Sequence, residues 1–185
     1  MKSCEQMKGL SVLEHGISVN DYFHDLRGHI INGSELKYEW KLPEWITDPY
    51  IWDNILDLET INQYQIYHDC GKPFCLTIDE EGKRHFPDHA SVSAKIWRSL
   101  GKSETEAYLM EHDMDIHLLK SEDLEEFSNL EHSLTLLITG FCEIHSNAKM
   151  FGGIESTSFK IKWKKINKLG KKIIQLIKEK ENIYA

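Results

Sequence analysis

The stretch most suited to chemistry places a histidine, an aspartate and a lysine within five residues of one another. His68 and Asp69 are adjacent, and Lys72 follows Gly71. An imidazole nitrogen and a carboxylate oxygen suit Mg²⁺, Mn²⁺, Fe or Zn²⁺, and a lysine beside them can meet an acid or a phosphate oxygen. Because two neighbouring side chains cannot complete a coordination shell, the stretch predicts a metal site whose other ligands come from distant parts of the chain.

Further histidines occur on both sides of this stretch. His15 shares a helical stripe with Val19, Tyr22 and Leu26, because offsets of four, seven and eleven residues fall on one face of a helix. Its side chain is therefore expected to point toward the core. An isolated histidine there is more often a hydrogen-bonded structural residue, and only the neighbouring motifs favour a metal ligand. Three further histidines follow downstream: His85, His89 and His112.

The apolar spacing predicts the helices that position these side chains. Ser11 and Glu14 form a capping box ahead of a helix over about 12–31, and a helix over about 50–67 delivers His68 at its end. We expect an all-α helical bundle that forms a single domain over residues 1–185. Further helices are predicted over 88–100, 103–112, 131–150 and 158–182, with one short hairpin or extended loop at 74–86.

Charge is distributed unevenly along the chain. The net charge is −8, but residues 160–185 carry nine lysines and two glutamates, so this segment is +7 and the remaining 159 residues are −15. A basic helix can lie along a phosphate backbone, although a lysine-rich face is more often a solvated surface. Contact between this helix and RNA is therefore one of two interpretations.

The composition excludes several classes of protein. At 185 residues, 41% hydrophobic and 28% charged, the chain can bury one core. No apolar run is long enough to cross a bilayer, and the first residues lack the apolar segment of a signal peptide, so we expect a cytoplasmic protein that does not contact a membrane. The four cysteines include no Cys-x-x-Cys pair, which argues against a zinc ribbon and favours reduced thiols.

Three stretches carry a family resemblance when they are taken in order. They are HDCGKP at 68–73, DEEGKRHFPDH at 79–89 and EHDM at 111–114. This order resembles the HD superfamily of metal-dependent phosphohydrolases, and it is most similar to the HD domain attached to some CCA-adding tRNA nucleotidyltransferases. With His15 and the helix over 131–150 included, the similarity covers about residues 11–150. No counterpart of a nucleotidyltransferase domain is present, so the resemblance implies a stand-alone HD module.

The resemblance implies a divalent metal inside the bundle, one or two ions of Mn, Mg, Ni, Co, Zn or Fe. The family's ligands are a histidine of the first helix, the His-Asp doublet and an acid of a late helix. Glu143 stands where the family usually has aspartate, which leaves Asp113 and His145 as alternatives for the last ligand. Carried over by position, the family's ligands are His15, His68, Asp69 and Glu143.

The remaining motif residues also receive roles from the resemblance. His89 and His112 correspond to histidines that either hold a second metal bridged by Asp69 or contact the phosphate. Lys72 either pairs with an acid beside the metal or meets a phosphate oxygen, and His85 lies at the rim. Catalysis is thus expected from Asp69, Lys72 and His112, and substrate binding from Lys72, His85 and His89.

The function that the resemblance implies is a metal-dependent phosphohydrolase acting on a nucleotide or an RNA end, with 2′,3′-cyclic phosphodiesterase or phosphatase activity. The absence of a GYP sequence after His112 argues against cyclic di-GMP as substrate. Two other interpretations stay open. One is a di-iron oxygenase that uses the same cage. The other is a non-catalytic RNA-binding or regulatory module in which Glu143 disrupts the set of metal ligands and the lysine-rich helix carries the function.

Overall fold

The computed structural model describes residues 1–184, apart from the side chains at 151, 183 and 184. Helices dominate, and the strands form two short antiparallel hairpins. The predicted all-α class with a short hairpin is confirmed. Backbone contacts divide the chain into two compact units, the first formed by 1–20 and 57–114 and the second by 21–56 and 115 onward. The expected single domain stays a prediction.

The first unit begins with a hairpin that the sequence pattern did not indicate. Strand β1 (Glu5–Met7) pairs with β2 (Leu10–Ser11), and helix α1 (Val12–Asn32) follows directly and continues into the second unit. The predicted capping box forms, because Ser11 N donates to Glu14 Oε2 at 2.8 Å and Glu14 N donates to Ser11 Oγ at 3.2 Å. The start of α1, and with it the position of His15, is thereby fixed.

The rest of the first unit consists of three longer helices, one short helix and an exposed hairpin. Helix α6 packs against both α3 and α5, and the indole of Trp97 donates to Glu106 Oε2 at 2.7 Å in this core. The hairpin predicted at 74–86 forms, with Thr77 opposite His85. The elements are α3 (Leu58–Tyr67), α4 (Lys72–Cys75), β3 (Thr77–Ile78), β4 (Arg84–His85), α5 (His89–Ser99) and α6 (Glu104–Glu111).

The prediction of a single helix over 50–67 is wrong, because this segment forms two helices. Helix α2 (Pro49–Asn54) belongs to the second unit, and α3 begins at Leu58. Asp57 causes the second start, since its carboxylate accepts hydrogen bonds from Thr60 N at 3.0 Å and from Thr60 Oγ1 at 2.8 Å. An aspartate that caps a new helix therefore interrupted an otherwise continuous apolar pattern.

The second unit is built around helix α9 (Ser133–Ser146), which is buried along nearly its whole length. The long helix α10 (Thr157–Tyr184) packs against α8 (Leu124–Asn129) and α9, and it corresponds to the lysine-rich helix expected over about 158–182. None of the helices within residues 1–184 is both long and apolar enough to span a membrane. The other elements of this unit are α7 (Asp115–Leu118) and 3₁₀ helices at Glu44–Thr47 and Ala148–Phe151.

Candidate metal centre

His15, His68 and Asp69 come together inside the first unit. Each is at most 2% exposed, and one ligand atom from each lies within 4.8 Å of the other two. The Nε2 atoms of His15 and His68 lie 3.6 and 3.3 Å from Asp69 Oδ2. Two imidazoles and a carboxylate are a donor set for borderline divalent metals. Residues separated by 53 positions in the chain therefore form one compact, buried polar cluster.

Local structure sets the direction of the His68 ring. His68 is the C-cap residue that directly follows α3, and its Nδ1 lies 2.7 Å from the carbonyl oxygen of Gln65. A carbonyl oxygen can only accept, so Nδ1 carries the proton of the neutral ring and Nε2 has the lone pair. A backbone carbonyl that orients the ring in this way is the usual support for a metal-binding histidine.

Two glycines allow the backbones beside the cluster to approach closely. A Cβ on Gly16 would lie 2.1 Å from the carbonyl oxygen of Ile66, and a Cβ on Gly71 would lie 2.4 Å from Ser93 N. Gly16 follows His15 directly, and Ile66 lies two residues before His68. Helices α1 and α3 therefore touch backbone to backbone at the level of the two imidazoles. The importance of Gly16 was not evident from the sequence, because a glycine inside a helix does not reveal which neighbour it meets.

Asp69 is a buried carboxylate with unequal oxygens. Its Oδ2 accepts a hydrogen bond from Lys72 Nζ at 2.6 Å, whereas no described residue donates one to the buried Oδ1. Burial alone would raise the pKa of Asp69, but its interactions with His68, Lys72 and His15 outweigh burial and hold the pKa well below its ordinary value. The group is therefore a carboxylate at neutral pH, and Oδ1 has the acceptor capacity that a cation needs. The residues present fit a divalent metal.

Lys72 pairs with the acid of the cluster, which is one of its two expected positions. Its side chain is buried, and Nζ also donates to Gln6 Oε1 at 2.9 Å and lies 5.3 Å from the ring centroid of Phe86. Gln6 comes from β1, and the neighbouring Glu5 forms an ion pair with Arg84 of β4 at 2.7 Å. The N-terminal hairpin thus forms part of the wall around Lys72, a role that no motif in the sequence signalled.

His89 lies beside the cluster at the start of α5. Its Nδ1 lies 3.0 Å from the carbonyl oxygen of Phe86, so Nε2 has the lone pair of the neutral ring. That Nε2 lies 3.5 Å from Asp69 Oδ1, and the side chain is 17% exposed. His89 therefore joins the buried cluster to solvent. The choice between a second metal and a phosphate contact stays a prediction.

The other motif histidines of the first unit have partners of their own. His85 Nε2 lies 2.7 Å from Asp79 Oδ2 across the β3–β4 hairpin. His112 packs on Tyr108, with ring centroids 4.4 Å apart. Asp113, one alternative for the last ligand, accepts a hydrogen bond from the hydroxyl of Tyr64. Roles for His85 and His112 in substrate binding, catalysis or metal binding stay predictions.

The second unit contains the two other candidates for the last ligand. Glu143 forms a pair with His117, whose Nε2 lies 2.7 Å from Glu143 Oε2, and its metal role stays a prediction. His145 is fully buried, with Nδ1 2.9 Å from the carbonyl oxygen of Phe141 and Nε2 accepting from Lys41 N at 3.2 Å. Burial lowers the pKa of His145 to about 4. Both ring nitrogens of His145 are thus engaged in hydrogen bonds, and its role as an alternative last ligand stays a prediction.

Comparisons of the chain with protein-family models, curated proteins and solved structures give no match. The resemblance to the HD superfamily therefore rests on the order of the motifs along the sequence.

Proposed function

We propose that this chain is a divalent-metal-dependent phosphohydrolase of the HD type, acting on a phosphoester of a nucleotide or an RNA end. The observation that carries the proposal is the environment of Asp69. Its buried carboxylate lies between the imidazoles of His15 and His68, and its Oδ1 receives no hydrogen bond from the described residues. A buried, unsatisfied carboxylate oxygen is costly unless a cation or another partner compensates for it.

The proposed ligands for the ion are His15, His68 and Asp69, with Glu143, His89 and His112 as further candidates. Bound there, a divalent ion supplies a Lewis acid for the phosphate and a source of hydroxide near neutral pH. The chain itself then has to provide proton transfer and positive charge close to the ion.

The residues around Asp69 can provide both. His89 is partly exposed and presents Nε2 toward Asp69, so it can accept a proton from water or, once protonated, donate one to a leaving oxygen. Lys72 holds a positive charge beside the carboxylate, where it can stabilise charge that develops on a phosphate oxygen. His112 is proposed to hold a second metal or to contact the phosphate, as the family resemblance implies, and to stabilise charge on the phosphate or the leaving oxygen.

The net negative charge of most of the chain is compatible with an anionic substrate only when a bound cation offsets it at the site. Residues 1–159 carry −15, so a phosphate would be repelled unless the site is neutralised locally. The proposal therefore includes a strict dependence on metal. The lysines of α10 provide positive charge on the second unit and favour RNA as a partner.

The test is an activity panel with Mn²⁺, Mg²⁺, Ni²⁺ and Co²⁺ on 2′,3′-cyclic nucleotides, nucleoside mono- and triphosphates and cyclic dinucleotides. His68→Ala and Asp69→Ala should each lower the rate by at least about 100-fold with the circular dichroism spectrum unchanged. His29→Ala removes an imidazole from the far end of α1 and serves as the matched control. Hydrolysis that persists equally in all of these variants, or that needs no metal, would refute the proposal. Two irons per chain without hydrolysis would replace it with the oxygenase.

A further inference from the structure

Helix α10 carries four exposed lysines on one side, which we call the lysine row. Successive members are four, three and one residues apart, so on an α-helix they span an arc of about 100° and about 12 Å of the axis. Their ammonium groups repel one another, because like charges three or four residues apart destabilise a helix. The row consists of Lys164, Lys168, Lys171 and Lys172.

Other lysines of α10 have partners within the second unit. Lys160 pairs with Glu155 at 2.7 Å, Lys178 with Asp48 at 2.5 Å, and Lys180 donates to Asn129 at 2.5 Å. Lys165 donates to the carbonyl oxygen of His117 at 2.6 Å. Within the part of the chain that the structure describes, no carboxylate forms an ion pair with a member of the lysine row. The helix thus concentrates its uncompensated positive charge on one side.

A groove of about 740 Å³ borders the lysine row, and both lie in the second unit. Trp163, Asn167 and Ile174 of α10 line the groove together with Trp45, which packs directly against α10. Lys171 lines the groove and also belongs to the row, so the two features are continuous. A volume of this size is in the range of sites for nucleotide-sized ligands.

The two indoles of the groove are held in place by their N–H groups. Trp163 Nε1 donates to the carbonyl oxygen of Lys41 at 2.6 Å, and Trp45 Nε1 donates to Asn167 Oδ1 at 3.1 Å. Trp45 is only 8% exposed, whereas Trp163 is half-buried, so the ring of Trp163 is the fixed aromatic surface that the groove offers. Three acidic residues line the groove, and the carboxylate of one of them, Asp48, is paired with Lys178, which reduces its repulsion of an anion; the other two are Glu44 and Glu179.

We infer that the lysine row and the groove together bind single-stranded nucleic acid, with phosphates along the row and a base in the groove. The inference deepens the RNA contact of the proposed function by naming the strandedness and the residues. Positive charge beside an aromatic surface is the combination that suits single strands, since an unpaired base can leave its neighbours and pack on an aromatic ring. A duplex offers phosphates but no unpaired base for the groove.

The experiment measures fluorescence anisotropy of a labelled single-stranded RNA of about a dozen nucleotides with the full chain in EDTA, over a range of salt. The row variant replaces all four lysines with glutamine, and the matched control removes the same charge at exposed lysines elsewhere. We expect the row variant to bind at least about tenfold more weakly at low salt, with the salt slope reduced by about 0.7 per lost phosphate contact. The control combines Lys2→Gln, Lys8→Gln, Lys95→Gln and Lys120→Gln and should bind within about threefold of the wild type.

A second variant pair tests the groove. Trp163→Ala should weaken single-strand binding, whereas Trp163→Phe should retain most of it because the aromatic surface remains. Thermal unfolding of each variant shows whether it is folded. If Trp163→Ala does not fold, the row variant still tests the inference. The inference would be overturned if the wild type bound a duplex of the same sequence or anionic vesicles as tightly as the single strand. It would also be overturned if the row variant bound the single strand as tightly as the wild type. Strand binding without phosphoester hydrolysis would refute the phosphohydrolase alone, and hydrolysis without strand binding would refute this inference alone.

Discussion

The ammonium group of Lys72 lies 2.6 Å from Oδ2 of Asp69, and the exposure of the two residues is only 6% and 1%. A built-in positive charge thus already neutralises the carboxylate that a metal ion would need. A divalent ion bound by Asp69 has to share this carboxylate with Lys72 or displace its ammonium. The pair therefore links metal affinity to a lysine that is not itself a ligand.

The first prediction concerns this competition. Lys72→Met should tighten Mn²⁺ binding by about tenfold, because it removes a positive charge that repels the ion at close range. The same variant should lower the rate of hydrolysis, because it lacks the ammonium group proposed to stabilise charge on a phosphate oxygen of the substrate. Isothermal titration calorimetry gives the affinity, and Lys95→Met, at an exposed position of α5, is the control. A metal affinity that falls in Lys72→Met would show that the lysine supports the ion instead of competing with it.

The second prediction tests Asp69 without any assay of turnover. Mn²⁺ should raise the melting temperature of the wild type, because a ligand that binds only the folded state stabilises it. Asp69→Asn keeps the shape of the side chain but removes its charge, so it should abolish this rise. Asp53→Asn changes an exposed aspartate and should leave the rise intact. An equal rise in all three proteins would mean that Mn²⁺ binds elsewhere.

The third prediction concerns the close approach of α1 to α3. Gly16→Ala should reduce the free energy of unfolding by about 3 kcal/mol, because its Cβ would lie 2.1 Å from a carbonyl oxygen that cannot easily move. Gly28→Ala, in the same helix, meets nothing nearer than 3.7 Å and should be neutral or stabilise by up to about 1 kcal/mol. Urea unfolding measures both. Similar values for the two variants would show that α1 can shift to accommodate a methyl group.

The fourth prediction follows from His145. Burial holds its pKa at about 4 in the folded chain, below the ordinary histidine value of about 6.5, so the folded state keeps the ring neutral while the unfolded state takes up a proton. This contribution to stability is complete above about pH 6.5 and is lost as the pH falls toward 4. Between pH 7 and pH 5 it should cost about 2 kcal/mol.

His145→Gln should remove most of this pH dependence, because glutamine does not titrate. Urea unfolding at pH 7 and pH 5 measures the difference, and His29→Gln serves as the control because it removes a histidine that is not fully buried. A wild-type protein whose unfolding free energy is flat over this range would contradict the neutral buried ring.

Local spacing was sufficient to predict the directions of some site residues but not their partners. The helical stripe through Val19 and Leu26 predicted that His15 faces inward, and the structure shows it 1% exposed. The capping box fixed the start of α1 correctly. The break before α3 was missed because the capping bond of Asp57 competes with a continuous apolar pattern, and pattern alone does not decide between them.

The contacts that define the environment of Lys72 and His145 could not be read from the sequence. Gln6 is 66 residues from Lys72, and Lys41 is 104 residues from His145. Neither Gln6 nor the backbone N–H of Lys41 belongs to a motif, and such contacts depend on tertiary packing. A motif therefore identified residue types with the right chemistry, whereas their protonation and accessibility depend on neighbours from distant parts of the chain.

Strand β1 gives neighbouring residues different partners, since Glu5 pairs with Arg84 while Gln6 accepts from Lys72, and the pairing with β2 is irregular between Glu5 and Met7. Successive side chains of a strand point to opposite faces, so deleting a single residue from β1 would exchange the two. The carboxylate of Glu5 would then lie where the amide of Gln6 now contacts Lys72. The ammonium group of Lys72 could then pair with either Glu5 or Asp69. The length of a seven-residue hairpin could thus change the charge around Lys72 without altering any of the residues proposed to hold a metal.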